Sequence, residues 1–131
     1  MKEFKEFAEE LPKEVVKRIV KLWLERKNFG KPSNYDAYGK SSGSCGESIE
    51  IFLKVNGDKI EDAKFFTNGC VTIVVCGSVV TELVKNKSLE EAMKIRSIDI
   101  VDEIGGLPED ELHCAIIAEN ALKEAIKSYS K

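Results

Sequence analysis

The sequence predicts an α+β domain: a small antiparallel β-sheet of about three strands packed against several α-helices, with long helices at the N-terminal and C-terminal ends. Three observations carry that reading. Ser48–Val55, SIEIFLKV, alternates apolar and polar residues and runs straight into Asn56-Gly57-Asp58, a strong hairpin signal. Near the start, Val15, Val16, Ile19, Val20 and Trp23 recur at helical spacing. Near the end, Leu112, Ala115, Ile116, Leu122, Ala125, Ile126 and Tyr129 do the same.

The elements follow in order. Residues 1–30 read as helix; Phe4, Phe7, Ala8 and Leu11 share one face, Pro12 interrupts or restarts it, and Gly30 and Pro32 end it. Residues 31–46 are rich in Ser, Gly, Asn and Asp and form a loop with one short strand near Ala37 and Tyr38. In the first hairpin strand Ile49, Ile51, Leu53 and Val55 face one way and Glu50, Phe52 and Lys54 the other. The return strand, KIEDAKFFT, has Ile60 out of phase with Ala63 and Phe65, which predicts a bulge or a two-sided edge.

The run from Cys70 to Asn86 is harder. Its Val, Ile and Thr favour strand locally. It is long for a strand, though, and Ile73, Cys76, Val80, Leu83 and Val84 recur at steps of three and four. It reads as a helix buried on most sides, with Gly77 admitting a close neighbour. Ser88 and Glu91 make a capping box for a helix reaching about Ile95. A helical turn over 100–104 ends at Gly105-Gly106, and Pro108 opens the last helix with Glu109, Asp110 and Glu111 at its positive end.

Length, charge and composition narrow the function. The 131 residues read as a single domain, 1–131, with an N-terminal helical segment over 1–30 and a motif-bearing core over 31–131. A third of the residues are charged, acids and bases are mixed, and the net charge is -3, so there is no basic patch to hold nucleic acid. No apolar run is long enough to span a membrane, and the N-terminus lacks the apolar core of a signal peptide. The expected location is the cytoplasm, where Cys45, Cys70, Cys76 and Cys114 would be thiols or metal ligands rather than disulfides.

Three of these cysteines sit at element ends. Cys45 closes the Gly/Ser loop, Cys70 stands where strand passes into helix, and Cys114 lies in the first turn of the last helix beside His113. Scaffold-held element ends are where sites are built, and helix N-termini favour thiolates. Glu47 shares a strand face with Cys45 if the strand has begun by then. Free cysteines often fill cores and a lone histidine is seldom a ligand. No pair is spaced C-x-x-C, so spacing alone does not announce zinc. The joint pattern carries the reading.

SCGESIEIFLKV, IEDAKFFTNGC, TELVKNKSLEEA and IGGLPEDELHCAIIAENALKEAI closely resemble the iron–sulfur cluster scaffold family of IscU proteins and the NifU N-terminal domain, from about Asn34 to Tyr129. The resemblance implies a non-enzymatic scaffold. It would accept sulfur from a cysteine desulfurase, assemble it with iron as a transient 2Fe–2S cluster, and pass the cluster to apo-proteins. By motif, Cys45, Cys70 and Cys114 take the place of the family's cluster cysteines, and His113 that of its histidine. Glu47 stands where relatives carry an aspartate. Three thiolates with His113 or Glu47 as the fourth ligand make a complete but releasable set, and zinc fits the same donors. The alternatives are a zinc-bound sulfur acceptor of the SufU type and a regulatory binding module. The resemblance leaves open a monomer or a homo-oligomer sharing a cluster. Glu111 replaces a lysine of the family motif, which argues against recognition of that segment by a DnaK-type chaperone. The N-terminal region lacks the family's Asn-Pro-Arg-Asn, so docking of the desulfurase is expected to differ. Cys76 falls on the apolar stripe and reads as core filler, with an auxiliary sulfur-handling role as the alternative.

Overall fold

The computed structural model describes Glu9, residues 11–44 and residues 46–129. The expected face of Phe4, Phe7 and Ala8, and Cys45 itself, lie outside the described residues. Helix α1, Lys13–Glu25, starts directly after Pro12, which is its N-cap residue. It ends at Arg26, whose backbone is left-handed with φ 44°, before the Gly30 and Pro32 signals. Its buried anchors are Ile19 and Leu22; Trp23 is only half-buried.

Strands β1 (Ala37–Ser42), β2 (Ser48–Asn56) and β3 (Lys59–Phe66) form an antiparallel sheet in the order β1-β2-β3. The short strand expected near Ala37 is a full edge strand, because the 31–46 segment pairs from Ala37↔Leu53 to Ser42↔Ser48. The phase slip in β3 is a bulge: Lys54 pairs with Asp62 but Val55 with Ile60, leaving Glu61 as the extra residue. That shift returns Ile60 to the core, where it is fully buried beside Ala63 and Phe65. Phe52 departs from the expected alternation. It lies on the outer sheet face yet is buried, covered by Tyr35 and Tyr38 with ring centroids 5.1 and 5.3 Å away. Beyond β3, Phe29 pairs in parallel with Phe65, so the segment after α1 covers that edge.

Helix α2, Val71–Val84, is the buried helix that its length and spacing predict. Thr72 to Thr81 are all buried, which is why its Val and Ile tolerate helix geometry: burial outweighs a propensity difference of a few tenths of a kcal/mol per residue. Gly77 is needed there, since a Cβ would stand 2.4 Å from the Phe65 ring and 2.8 Å from Ile49. Helix α3 (Leu89–Met93) carries the full Ser88/Glu91 capping box, both bonds being 3.0 Å. Helix α4 (Ser97–Ile104) is longer than the expected turn and ends at Gly105, φ 105°. Pro108 leads a 3-10 turn, Glu109–Glu111, that feeds α5, Leu112–Tyr129. Helix α5 lies on β1; a Cβ on Gly39 would fall 2.2 Å from the backbone nitrogen of Ala125. Its buried face is Cys114, Ala115, Ile117, Ala118, Ala121, Leu122, Ala125 and Ile126, whereas Ile116, expected inside, is half exposed. The buried stripe is thus rotated toward Ile117, and Leu112, Ile116 and Tyr129 face outward.

Candidate metal centre

Three segments meet at one end of the sheet. The first is the turn before β2, where the Gly43 N–H donates to the Glu47 carbonyl (2.8 Å) and the Gly46 N–H to the Gly43 carbonyl (3.2 Å). Gly43 is small by need: a Cβ would reach 3.0 Å from Glu47 Oε1 and 2.5 Å from Ile117. The strand begins only at Ser48, so Glu47 belongs to the turn and not to the shared strand face expected for it and Cys45. The second segment is the link from β3 into α2. Here the Thr67 hydroxyl donates to the Ser48 carbonyl (2.6 Å) and accepts from the Gly69 N–H (3.0 Å), setting Cys70 at the helix N-cap. The third is the 3-10 turn and first turn of α5, with Glu111, His113 and Cys114.

Cys70 carries a lowered pKa. The Cys114 S–H and the backbone N–H groups of Ile73, Thr72 and Cys70 itself donate to it, outweighing the opposing effect of burial and lowering its pKa to about 6. The same hydrogen bond holds the proton on Cys114, whose pKa is raised, further supported by burial and by the nearby Cys76, Cys70 and Glu111. The hydrogen bond thus favours the thiolate form of Cys70 and the thiol form of Cys114.

His113 Nε2 lies 2.9 Å from Glu47 Oε1 and 3.7 Å from Cys114 Sγ. The Glu47 side chain is 9% exposed and that of His113 43%, so the carboxylate aims a solvent-facing imidazole across the sulfur. Cys76 is fully buried, with its thiol pKa pushed up first by burial and then by Cys70 and Glu111. It fills the core, as its place on the stripe predicts, under the site rather than in its mouth. One donor was not expected. Glu111 is only 5% exposed, and its ligand atoms and those of His113 and Cys114 all lie within 4.8 Å of one another. The charge reversal at 111 is visible in the sequence. Its direction is not, because a 3-10 turn rather than helix places it.

A three-stranded antiparallel sheet backed by helices, with sulfur, imidazole and carboxylate donors converging where its connections meet, defines an α+β domain with a candidate metal site. Residues 14–131 match the model of the NifU-like N-terminal domain, and the chain belongs to that family. The Escherichia coli K12 iron–sulfur cluster assembly scaffold protein IscU is 38% identical over 117 residues, 86% of this chain and 91% of that protein. Scaffold protein IscU 1 of Archaeoglobus fulgidus is 38% identical over 104 residues, 79% of this chain and 68% of its own length. In fold, the chain is similar to the crystal structure of an iron–sulfur cluster assembly scaffold protein for the SUF system from Fervidobacterium islandicum. The TM-score is 0.69 at 22% identity, over 83% of this chain and 93% of that one, a likeness of fold alone. Among the described residues, no helix is long and apolar enough to cross a membrane.

Proposed function

We propose that this chain is a scaffold on which a 2Fe–2S cluster is assembled and from which it is released. Cys45, Cys70 and Cys114 hold the cluster, and His113 or Glu47 supplies the fourth ligand. Sulfur comes from a cysteine desulfurase, and the cluster passes to apo iron–sulfur proteins. The cluster is cargo, not a resident cofactor.

The observation that carries this reading is the meeting of Cys70, Cys114, His113 and Glu47 from three separate segments. Thiolate is the ligand that iron–sulfur clusters require. Cys70 has the low pKa a ligand and a sulfur acceptor both need. A mixed set binds less firmly than four cysteines would, and a site that must let go benefits from that.

Anaerobic reconstitution with ferric iron and sulfide tests the proposal: two Fe³⁺ and two S²⁻ make the oxidised cluster with no net electron transfer. Visible absorbance at two irons per cluster is expected. Cys45→Ala, Cys70→Ala and Cys114→Ala should each abolish it, and retention in all three would sink the assignment. The same donors suit tetrahedral zinc. If purified protein holds zinc, stimulates a desulfurase and never forms a cluster, the sulfur-acceptor reading replaces this one.

A further inference from the structure

We propose that the free edge of β1 is a docking site for an extended, acidic segment of a partner protein, which adds to the sheet as a fourth strand. The two edges of the sheet differ. On β3, the Gly30 N–H donates to the Phe65 carbonyl (2.8 Å) and the Phe65 N–H to the Asn28 carbonyl (2.9 Å). Further along, the Ile60 N–H donates to the Lys87 carbonyl and the Asn86 N–H to the Ile60 carbonyl, both at 2.8 Å. That edge is closed. On β1, the Tyr38 N–H turns away from β2 and donates to the Ser128 hydroxyl of α5 (3.1 Å). Strand geometry repeats every two residues, so the N–H and C=O groups of Lys40 and Ser42 point the same way, off the sheet. Among the described residues no hydrogen bond reaches those groups. An unpaired strand edge is a template for another strand.

The surroundings select the occupant. An open groove of about 240 Å³ follows this edge, lined by Tyr38, Gly39 and Lys40 and by Glu124, Lys127 and Ser128 of α5. Lys40 is exposed, and its cross-strand neighbour Glu50 is engaged elsewhere: it accepts from the Tyr38 hydroxyl (2.7 Å) and lies 3.7 Å from Lys31 Nζ. A strand laid antiparallel on β1 sets one of its residues directly opposite Lys40, and a carboxylate there gives the ammonium a partner. A second copy of this chain fits badly. Two-fold pairing centred on Lys40, the middle of the free stretch, places ammonium against ammonium. The edge also leads to the candidate metal centre. Strand β1 ends at Ser42, and a Cβ on the next residue, Gly43, would stand 3.0 Å from Glu47 Oε1, the oxygen that meets His113. A docked segment therefore runs from the end of α5 toward that centre. The value of arriving there rests on the scaffold reading; the docking itself does not.

The test uses the full, reduced, isotope-labelled chain without metal, and the acetylated and amidated peptide Thr-Val-Glu-Val-Thr, followed by amide NMR. Binding should shift the Lys40 and Ser42 amides and slow their exchange with solvent, with the effects on α5 centred on Glu124, Lys127 and Ser128. The same peptide methylated on its glutamate nitrogen cannot donate to the Lys40 carbonyl and should not bind. Thr-Val-Lys-Val-Thr should bind at least about threefold more weakly. Lys40→Pro removes an edge N–H that the pairing with β2 does not use, so it should lose the peptide and keep the sheet. Silence of the Lys40 and Ser42 amides at millimolar peptide overturns the inference, as does undiminished binding of the methylated peptide. Self-association of the chain that Lys40→Pro abolishes also overturns it, by making a second copy the occupant. The methylated peptide decides the matter even if Lys40→Pro does not fold. No iron or sulfide enters the experiment, so its failure leaves the scaffold reading standing, and failure to form a cluster leaves this inference standing.

Discussion

Cys70 and Cys76 lie six residues, about 1.7 helical turns, apart on the same stretch of chain and have opposite chemistries. Cys70 caps α2, half-buried, with the Cys114 S–H and backbone N–H groups directed at its sulfur. Cys76 is enclosed by the core, where no part of the side chain meets water. One is held near pKa 6; burial pushes the other upward. Residue type therefore says little about a cysteine's task. The Cys114 S–H and the free N–H groups at a helix start lower the pKa of one thiol, and the interior of the same helix makes the other a small apolar side chain.

The largest expected effect breaks the comparison outright if it fails. Cys70→Ala should lose all cluster absorbance after reconstitution while keeping its fold, and Cys76→Ala should keep the cluster. Equal loss in both variants would mean that Cys76 belongs to the site. Next comes the core itself. Gly77→Val should destabilise the protein by about 3 kcal/mol or more in urea unfolding, because its side chain has no room against Phe65. Cys76→Ala should cost about 1–2 kcal/mol by leaving a small void; a neutral result would show that the core closes around it.

The rim is probed by pH. A lowered pKa means that Cys70 is already a thiolate at neutrality, so its alkylation by iodoacetamide should rise with pH through about 6 and level off above it. An ordinary thiol rises through about 8.5. At pH 7 the thiolate fraction is then about 0.9 instead of about 0.03. Mass spectrometry of the labelled peptides locates the midpoint, and a value at the ordinary pKa would mean that neither the Cys114 S–H nor the helix end lowers it. Smallest is a change touching neither cysteine: Ser88→Ala removes a capping bond and should lower stability by about 1 kcal/mol, with cluster formation unaffected.

Much of this was legible locally. The β2 alternation with Asn56-Gly57-Asp58, the capping box at Ser88 and the phase slip at Ile60 each declare themselves within a few residues, because turns, caps and bulges are short-range devices. The extent of β1 was not legible, since a Gly/Ser-rich strand takes its identity from pairing with β2. Nor was the outward turn of Ile116, which depends on which face α5 presents to the sheet.

The sequence by itself determined the order of elements, the placing of Cys70 and Cys114 at helix starts, and the resemblance that names the family. Only the tertiary structure decided that Glu47 meets His113 across 66 residues, that Thr72 approaches Glu111 across 39, and that Glu111 points inward beside Cys114. The physical reason is range. Caps and periodicity are governed by bonds spanning three or four residues, whereas a donor set is closed by the packing of α2 and α5 against one sheet, and no local pattern records that distance.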